Sequence, residues 1–153
     1  VTEEWSRFAV ALIKALSSLP LQGVLIVGDR VNGQHFVQFA HHGERIRAEA
    51  AGGADEYGRV HLTERQRAGL VELGWRPPDE GHFNWWTQLD WPATSAQYRV
   101  LGEMSTRALS EAYQVASPAT LEYEAWVDGS PQPLEFPLLG MARPARRQGR
   151  AGS

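Results

Sequence analysis

The sequence predicts an α+β domain, a largely antiparallel sheet with helices on one face, in the order α-β-β-β-α-β-α-β. Three observations carry this expectation. Apolar residues recur at helical spacing near the N-terminus, as Trp5, Phe8, Ala9, Leu12, Ile13 and Leu16. Short runs rich in branched and aromatic residues then follow one another, joined by tight-turn signals. Farther on, Thr63 with Gln66 and Thr94 with Gln97 form capping boxes that mark the starts of later helices.

Taken in order, Pro20 stops the first helix, and LQGVLIVGD is the first strand. Asn32-Gly33 follows as a hairpin signal, because both residues accept the positive φ of a two-residue turn. QHFVQFA is the second strand and HHG the next turn. ERIRAEA is the third strand, in which Ile46, Ala48 and Ala50 alternate with Arg45, Arg47 and Glu49. GGADEYGR is a loop, and the helix opened by Thr63 ends at Gly74, with Pro77 and Pro78 beyond it. FNWWTQLDW is a strand on β-propensity. The helix opened by Thr94 carries the stripe Tyr98, Leu101, Ser105, Ala108, Leu109 and Ala112, and ends at Ser117-Pro118. TLEYEAWV is the last strand. These elements make one domain over residues 1–128. Residues 129–153 form a Pro- and Arg-rich tail whose final stretch, ARPARRQGRAGS, is expected to be disordered.

Composition narrows the function. A chain of 153 residues that is 42% hydrophobic can bury a real core, and a net charge of −3 argues against generic nucleic-acid binding. No cysteine is present, which removes disulfides, thiolate metal sites and cysteine nucleophiles. No segment approaches the roughly 20 apolar residues that span a bilayer, and the first residues lack the basic start of a secretory signal. The expectation is a cytoplasmic protein without a membrane partner.

Catalytic patterns are sparse. No serine sits in a G-x-S-x-G elbow, and neither common phosphate-binding glycine loop occurs, so no cofactor is expected. His41 and His42 are adjacent in a turn, where they read as solvated residues; His35, His61 and His82 are scattered, and no metal site is expected. Glu122 and Glu124 share a strand face at about 6.5–7 Å, a separation seen between the acid and base of inverting glycosidases.

Tryptophan is the unusual feature. Three of the six fall in GHFNWWTQLDWP, from Gly81 to Pro92. Trp5 belongs to a helix stripe, and Trp75 follows a helix-ending glycine, where an apolar residue packs back on its helix. Trp85 and Trp86 must point to opposite faces of a strand. One joins the core with Phe83, and the other shares the opposite face with Asn84 and Gln88. Trp126 likewise falls on the face of Glu122 and Glu124. Two large rings, Trp86 and Trp126, are thus expected on the face away from the helices. Leaving each in water forgoes about 1.5–3 kcal/mol of burial. Such a patch marks an interaction surface, unless Leu134 to Met141 or a second copy covers it.

The stretch from Leu62 to Val127 resembles the actinobacterial TY-Chap-type domains, grouped with type III secretion chaperones and YbjN as peptide-binding chaperones. The resemblance rests on L-x-x-L-G-W at Leu70 to Trp75, Pro77-Pro78, Asn84-Trp85, Trp91-Pro92-Ala93-Thr94-Ser95, Tyr98, and Leu121-x-Tyr123-Glu124-Ala125-Trp126. It implies a small non-enzymatic domain that binds a client polypeptide, often as a dimer. A client segment would augment an edge strand while Trp86 and Trp126 contact its alternate side chains. Arg45 and Arg47 would hold its acidic residues. Two other readings remain at this point: a homodimeric structural or regulatory protein, and a carbohydrate-binding or hydrolytic protein using tryptophan with Glu122 and Glu124.

Overall fold

Thr2 starts the first helix, its hydroxyl accepting the Trp5 amide while Glu3 and Glu4 sit at the positive end of the helix dipole. This helix, α1 (Glu3–Ser17), buries Trp5, Phe8, Ala11, Leu12, Ala15 and Leu16. The stripe is thus rotated slightly from the expected one, leaving Ala9 and Ile13 at its margin. The computed structural model describes residues 2–52, 57, 59 and 61–141.

Five strands follow the expected order: β1 (Gly23–Asp29), β2 (Phe36–His42), β3 (Arg45–Ala50), β4 (Trp85–Asp90) and β5 (Leu121–Val127). They form one sheet, β4-β3-β2-β1-β5, with every neighbouring pair antiparallel. Helix α2 (Glu64–Leu73) lies between β3 and β4, and α3 (Ser95–Arg107) precedes β5. Both capping boxes are present, at Thr63 with Gln66 and at Thr94 with Gln97. Gly74 ends α2 at φ +104, a conformation a Cβ would strain, and the Trp75 amide folds back to the Leu70 carbonyl. Past Arg107, α3 runs into a π-helical turn, Ala108–Ala112.

Alternation along the strands produces the layers. Leu25, Val27, Val37, Phe39, Ile46, Ala48, Ala50, Leu121, Tyr123 and Ala125 share one core with Leu12, Leu16, Leu70, Leu101 and Leu109 from the helices. Within the helical layer α1 and α3 approach closely at Gly102, where a Cβ would lie 2.4 Å from Ile13 Cγ1.

Three local expectations are corrected. The β1–β2 hairpin forms, but neither Asn32 nor Gly33 takes a positive φ. The connection is wider because Asp29 Oδ1 accepts the Val31 amide and Asn32 Oδ1 accepts the Gln34 amide, building side-chain turns in place of a two-residue one. His41 is not a solvated turn residue. It lies within β2 on the core face, 3% exposed, with Nδ1 3.1 Å from the Leu19 carbonyl, while His42 points outward. Phe83 is not core. It is 73% exposed, whereas its neighbour Asn84 is buried, its side chain accepting from the Gly52 amide and donating to Glu49 Oε1. Those two bonds hold Asn84 beside Glu49, and β4 begins only at Trp85, so strand alternation does not carry to Phe83. Most of the GGADEYGR loop and all of the ARPARRQGRAGS stretch lie outside the described residues.

After β5 the chain doubles back as a strap. Ser130 N–H donates to the Val127 carbonyl, Pro133 bridges to Trp126, and Leu134 N–H reaches the Ala125 carbonyl at 3.0 Å. A single 3-10 turn, Pro137–Leu139, then buries Leu139 against the core beside α1. From Leu134 to Leu139 the strap therefore runs on the helix side of the sheet.

Candidate functional site

The sheet face away from the helices is built by the residues that alternate with the core positions. Register places Trp86, Glu49, Gln38, Ile26 and Glu124 in one row across the five strands. Gln88, Arg47, Ala40, Val24 and Trp126 form the next row, and Asp90, Arg45 and His42 the one after. Parity therefore sends Trp86 and Trp126 to the same face, as the sequence requires. They stand at opposite edges, four strand spacings or about 19 Å apart. Two rings so far apart do not make one patch.

Their surroundings differ as well. Trp85 is 5% exposed in the core, whereas its neighbour Trp86 is only half-buried. Trp86 stacks on His82, with ring centroids 3.7 Å apart and planes at 6°, and the Arg76 guanidinium carbon lies 4.7 Å from its centroid. The main chains of Arg76 and Trp86 exchange hydrogen bonds of 2.9 and 3.0 Å. Between them the chain reverses at Asp79, whose Oδ1 accepts the Gly81 amide and lies 2.7 Å from His82 Nδ1. The His82 hydrogen bond holds the Asp79 carboxyl below its ordinary range, and the Gly81 amide and the Trp86 indole add to that effect against some desolvation. The indole N–H itself makes no hydrogen bond of normal geometry among the described residues.

Trp126 does not meet the expectation of exposure. It is 8% exposed, its Nε1 donates to Asp128 Oδ1 at 2.9 Å, and Pro133 of the strap stands across from it. Glu122 and Glu124 share its face but are both partly buried on the same edge strand.

Arg45 and Arg47 are exposed on the open face, and neither forms an ion pair among the described residues. Arg45 lies opposite Asp90, and Arg47 opposite Gln88. Because Trp86 turns its main-chain groups outward to Arg76, alternation also turns those of Gln88 and Asp90 outward, away from β3. They have no main-chain partner among the described residues. Among the described residues the β3–β4 end of the sheet thus combines an open edge, two cations without an ion pair and a half-buried indole. Phe83 and Trp91, both exposed, flank β4.

The Arg76, Asp79 and His82 contribution escaped the sequence reading. Its signal was the turn-forming run Pro77-Pro78-Asp79-Glu80-Gly81, which returns the chain along β4.

Among the described residues no cluster of three His, Asp or Glu side chains stands close enough to hold a metal ion. No helix among them is long and apolar enough to cross a membrane. No curated protein and no solved structure matches the chain. The family described as T3SS (YopN, CesT) and YbjN peptide-binding chaperone 3 matches residues 1–127, which extends the sequence resemblance to the N-terminal helix and first three strands; the chain belongs to this family of peptide-binding chaperones.

Proposed function

We propose that the chain captures an extended client segment at the β3–β4 end of the sheet, with Trp86, Arg45 and Arg47 as its side-chain contacts. The observation that carries this reading is the outward main chain of Gln88 and Asp90 beside those three residues. Unpaired N–H and C=O groups on an edge strand are a template for another strand. A client strand added there would lay alternate side chains along the open face, level with Trp86 and Arg47. The main-chain bonds and the indole would supply most of the affinity. Exposed ion pairs contribute only about 0.2–1 kcal/mol each, so Arg45 and Arg47 would chiefly select acidic over basic segments. The reading needs no cofactor and no catalysis. Trp126, at the far edge, serves the fold rather than the client.

Fluorescence anisotropy with labelled extended peptides of acidic, neutral and basic composition tests the reading. The expected order is acidic, then neutral, then basic. Trp86→Ala should weaken binding about tenfold, the loss of one aromatic anchor. Arg45→Glu with Arg47→Glu should abolish or invert the order of preference. Peptides that bind equally to wild type and both variants would sink the site assignment.

A further inference from the structure

The open stretch of β4 is short, and its two ends carry opposite charge. Arg76 and Trp86 exchange main-chain hydrogen bonds as an antiparallel pair, so their side chains share the open face. Arg76 therefore already holds the place beside β4 that is level with Trp86, with its guanidinium carbon 4.7 Å from the centroid of that ring. At the other end, the Trp91 N–H is turned inward to the Glu44 carbonyl, and Pro92 has no N–H. Along β4 that leaves Gln88 and Asp90 to pair with an added strand. Beyond Gln88 the client meets Arg76, so main-chain pairing ends there and its next side chains lie against the Arg76–Trp86 contact.

The charges around this stretch are exposed and differ from one position to the next. An antiparallel strand in line with Arg76 would set one residue opposite Gln88 and another, two positions earlier, opposite Asp90, both with side chains on the open face. The residue opposite Gln88 has a neutral neighbour. Its nearest charge is Arg76, about 6.8 Å away along the same line, and Arg47 stands behind Gln88 at about 10 Å. The residue opposite Asp90 meets that carboxylate at about 5.5 Å, with Arg45 one strand farther back. Exposed charges are screened over about 8 Å at physiological ionic strength, so the nearer one governs each position. Arg45, Arg47, Arg76 and Asp90 form no ion pair among the described residues. Glu49 does not engage Arg47, because its two oxygens accept from Gln38 and Asn84. The client residue between the two points to the helix side, where Leu89 is partly buried against the core.

We infer that the client is an extended segment running antiparallel to β4 with a basic, an apolar and an acidic residue in that order. Asp90 selects the basic residue, Leu89 seats the apolar one, and Arg76 with Arg47 selects the acidic one, a division that rests on the capture reading proposed above. Arg45, Arg47 and Arg76 outnumber Asp90, so acidic segments remain favoured in bulk. The position facing Asp90 is the exception.

The test uses the full chain and two fluorescein-labelled, C-terminally amidated peptides, Ser-Thr-Lys-Leu-Glu-Thr-Ser and Ser-Thr-Glu-Leu-Lys-Thr-Ser. They have the same composition and net charge, so only order separates them. In fluorescence anisotropy the Lys-Leu-Glu peptide should bind at least about fivefold tighter, the combined effect of two cross-strand charge preferences. Serine in place of its leucine should weaken it about threefold. Asp90→Lys should bring the two orders to within about twofold of each other, and Arg47→Gln with Arg76→Gln should do the same from the other side. The ratio is read within each variant, so a loss of stability alone does not move it; should a variant fail to fold, the ratio in wild type decides. Equal binding of both orders to wild type overturns the inference and leaves capture standing, as does a preference for Glu-Leu-Lys. A ratio that Asp90→Lys leaves unchanged overturns it too. Binding of neither order, where the acidic peptides of the preceding test do bind, overturns the inference alone; where those fail as well, the capture reading falls with it.

Discussion

Trp86 and Trp126 point from the same face of one sheet, at its two edges, and meet opposite fates. At the β4 edge, Trp86 is half-buried by the chain immediately before it, in a layered contact with His82 and Arg76 that leaves the rest of the edge open. At the β5 edge, Trp126 is buried: its indole N–H is bonded to Asp128, and the strap is bridged to its main chain. The difference teaches that strand parity sets where a ring points, while burial depends on which segment the chain brings back beside it. Among the described residues one edge stays open, and the other meets a segment that lies beyond residues 1–127.

The largest test of this contrast is stability. Trp126→Ala should cost about 3 kcal/mol in urea unfolding, as for a large ring removed from a packed site. Trp86→Ala should cost about 1 kcal/mol, because the ring is only partly buried and its neighbours can follow it. Equal losses would erase the distinction between a structural ring and an available one.

Acid should separate the two edges further. The Asp79 carboxyl is held below its ordinary value of 3.8, first by the His82 hydrogen bond. A carboxyl with a depressed folded pKa contributes stability that is fully present above its unfolded value and is lost as pH falls through the folded one. Below pH 3.8 the Asp79–His82 contact should therefore weaken, and the Nε1–H resonance of Trp86 should move with it. In Asp79→Asn that movement should vanish. A Trp86 resonance that titrates identically in both chains would mean that Asp79 does not organise the stack.

The smallest effect is a matter of single amides. Trp86 N–H donates to the Arg76 carbonyl, whereas Gln88 and Asp90 N–H groups point outward without a main-chain partner among the described residues. Exchange at Trp86 should be at least about tenfold slower than at Gln88 and Asp90. Uniform protection along β4 would mean that something already closes this edge.

Much of the fold was legible because its signals are local. The capping boxes at Thr63 and Thr94, the Gly74 terminus and the alternation of Ile46, Ala48 and Ala50 each concern a few adjacent residues and the geometry they permit. The failures are local readings overruled by distant partners. Asn84 is tied to Gly52 and Glu49 just before β4 begins at Trp85, which leaves Phe83 outside the alternation. His41 is drawn into the core by the register of β2 against β1 and β3, where the Leu19 carbonyl meets its ring. Of the candidate site, Arg45, Arg47 and Trp86 were placed on the open face by parity alone. The Arg76, Asp79 and His82 setting around the indole was not, since it depends on a chain reversal.

By itself, then, the sequence determined the order of elements, their caps and the face to which each strand residue points, because these follow from backbone geometry over a handful of neighbours. Only the tertiary structure decided which edge stays open, how far apart the two rings stand and which of them is buried. Those outcomes depend on strand order and on contacts between residues far apart in the chain, and no spacing along the sequence encodes them.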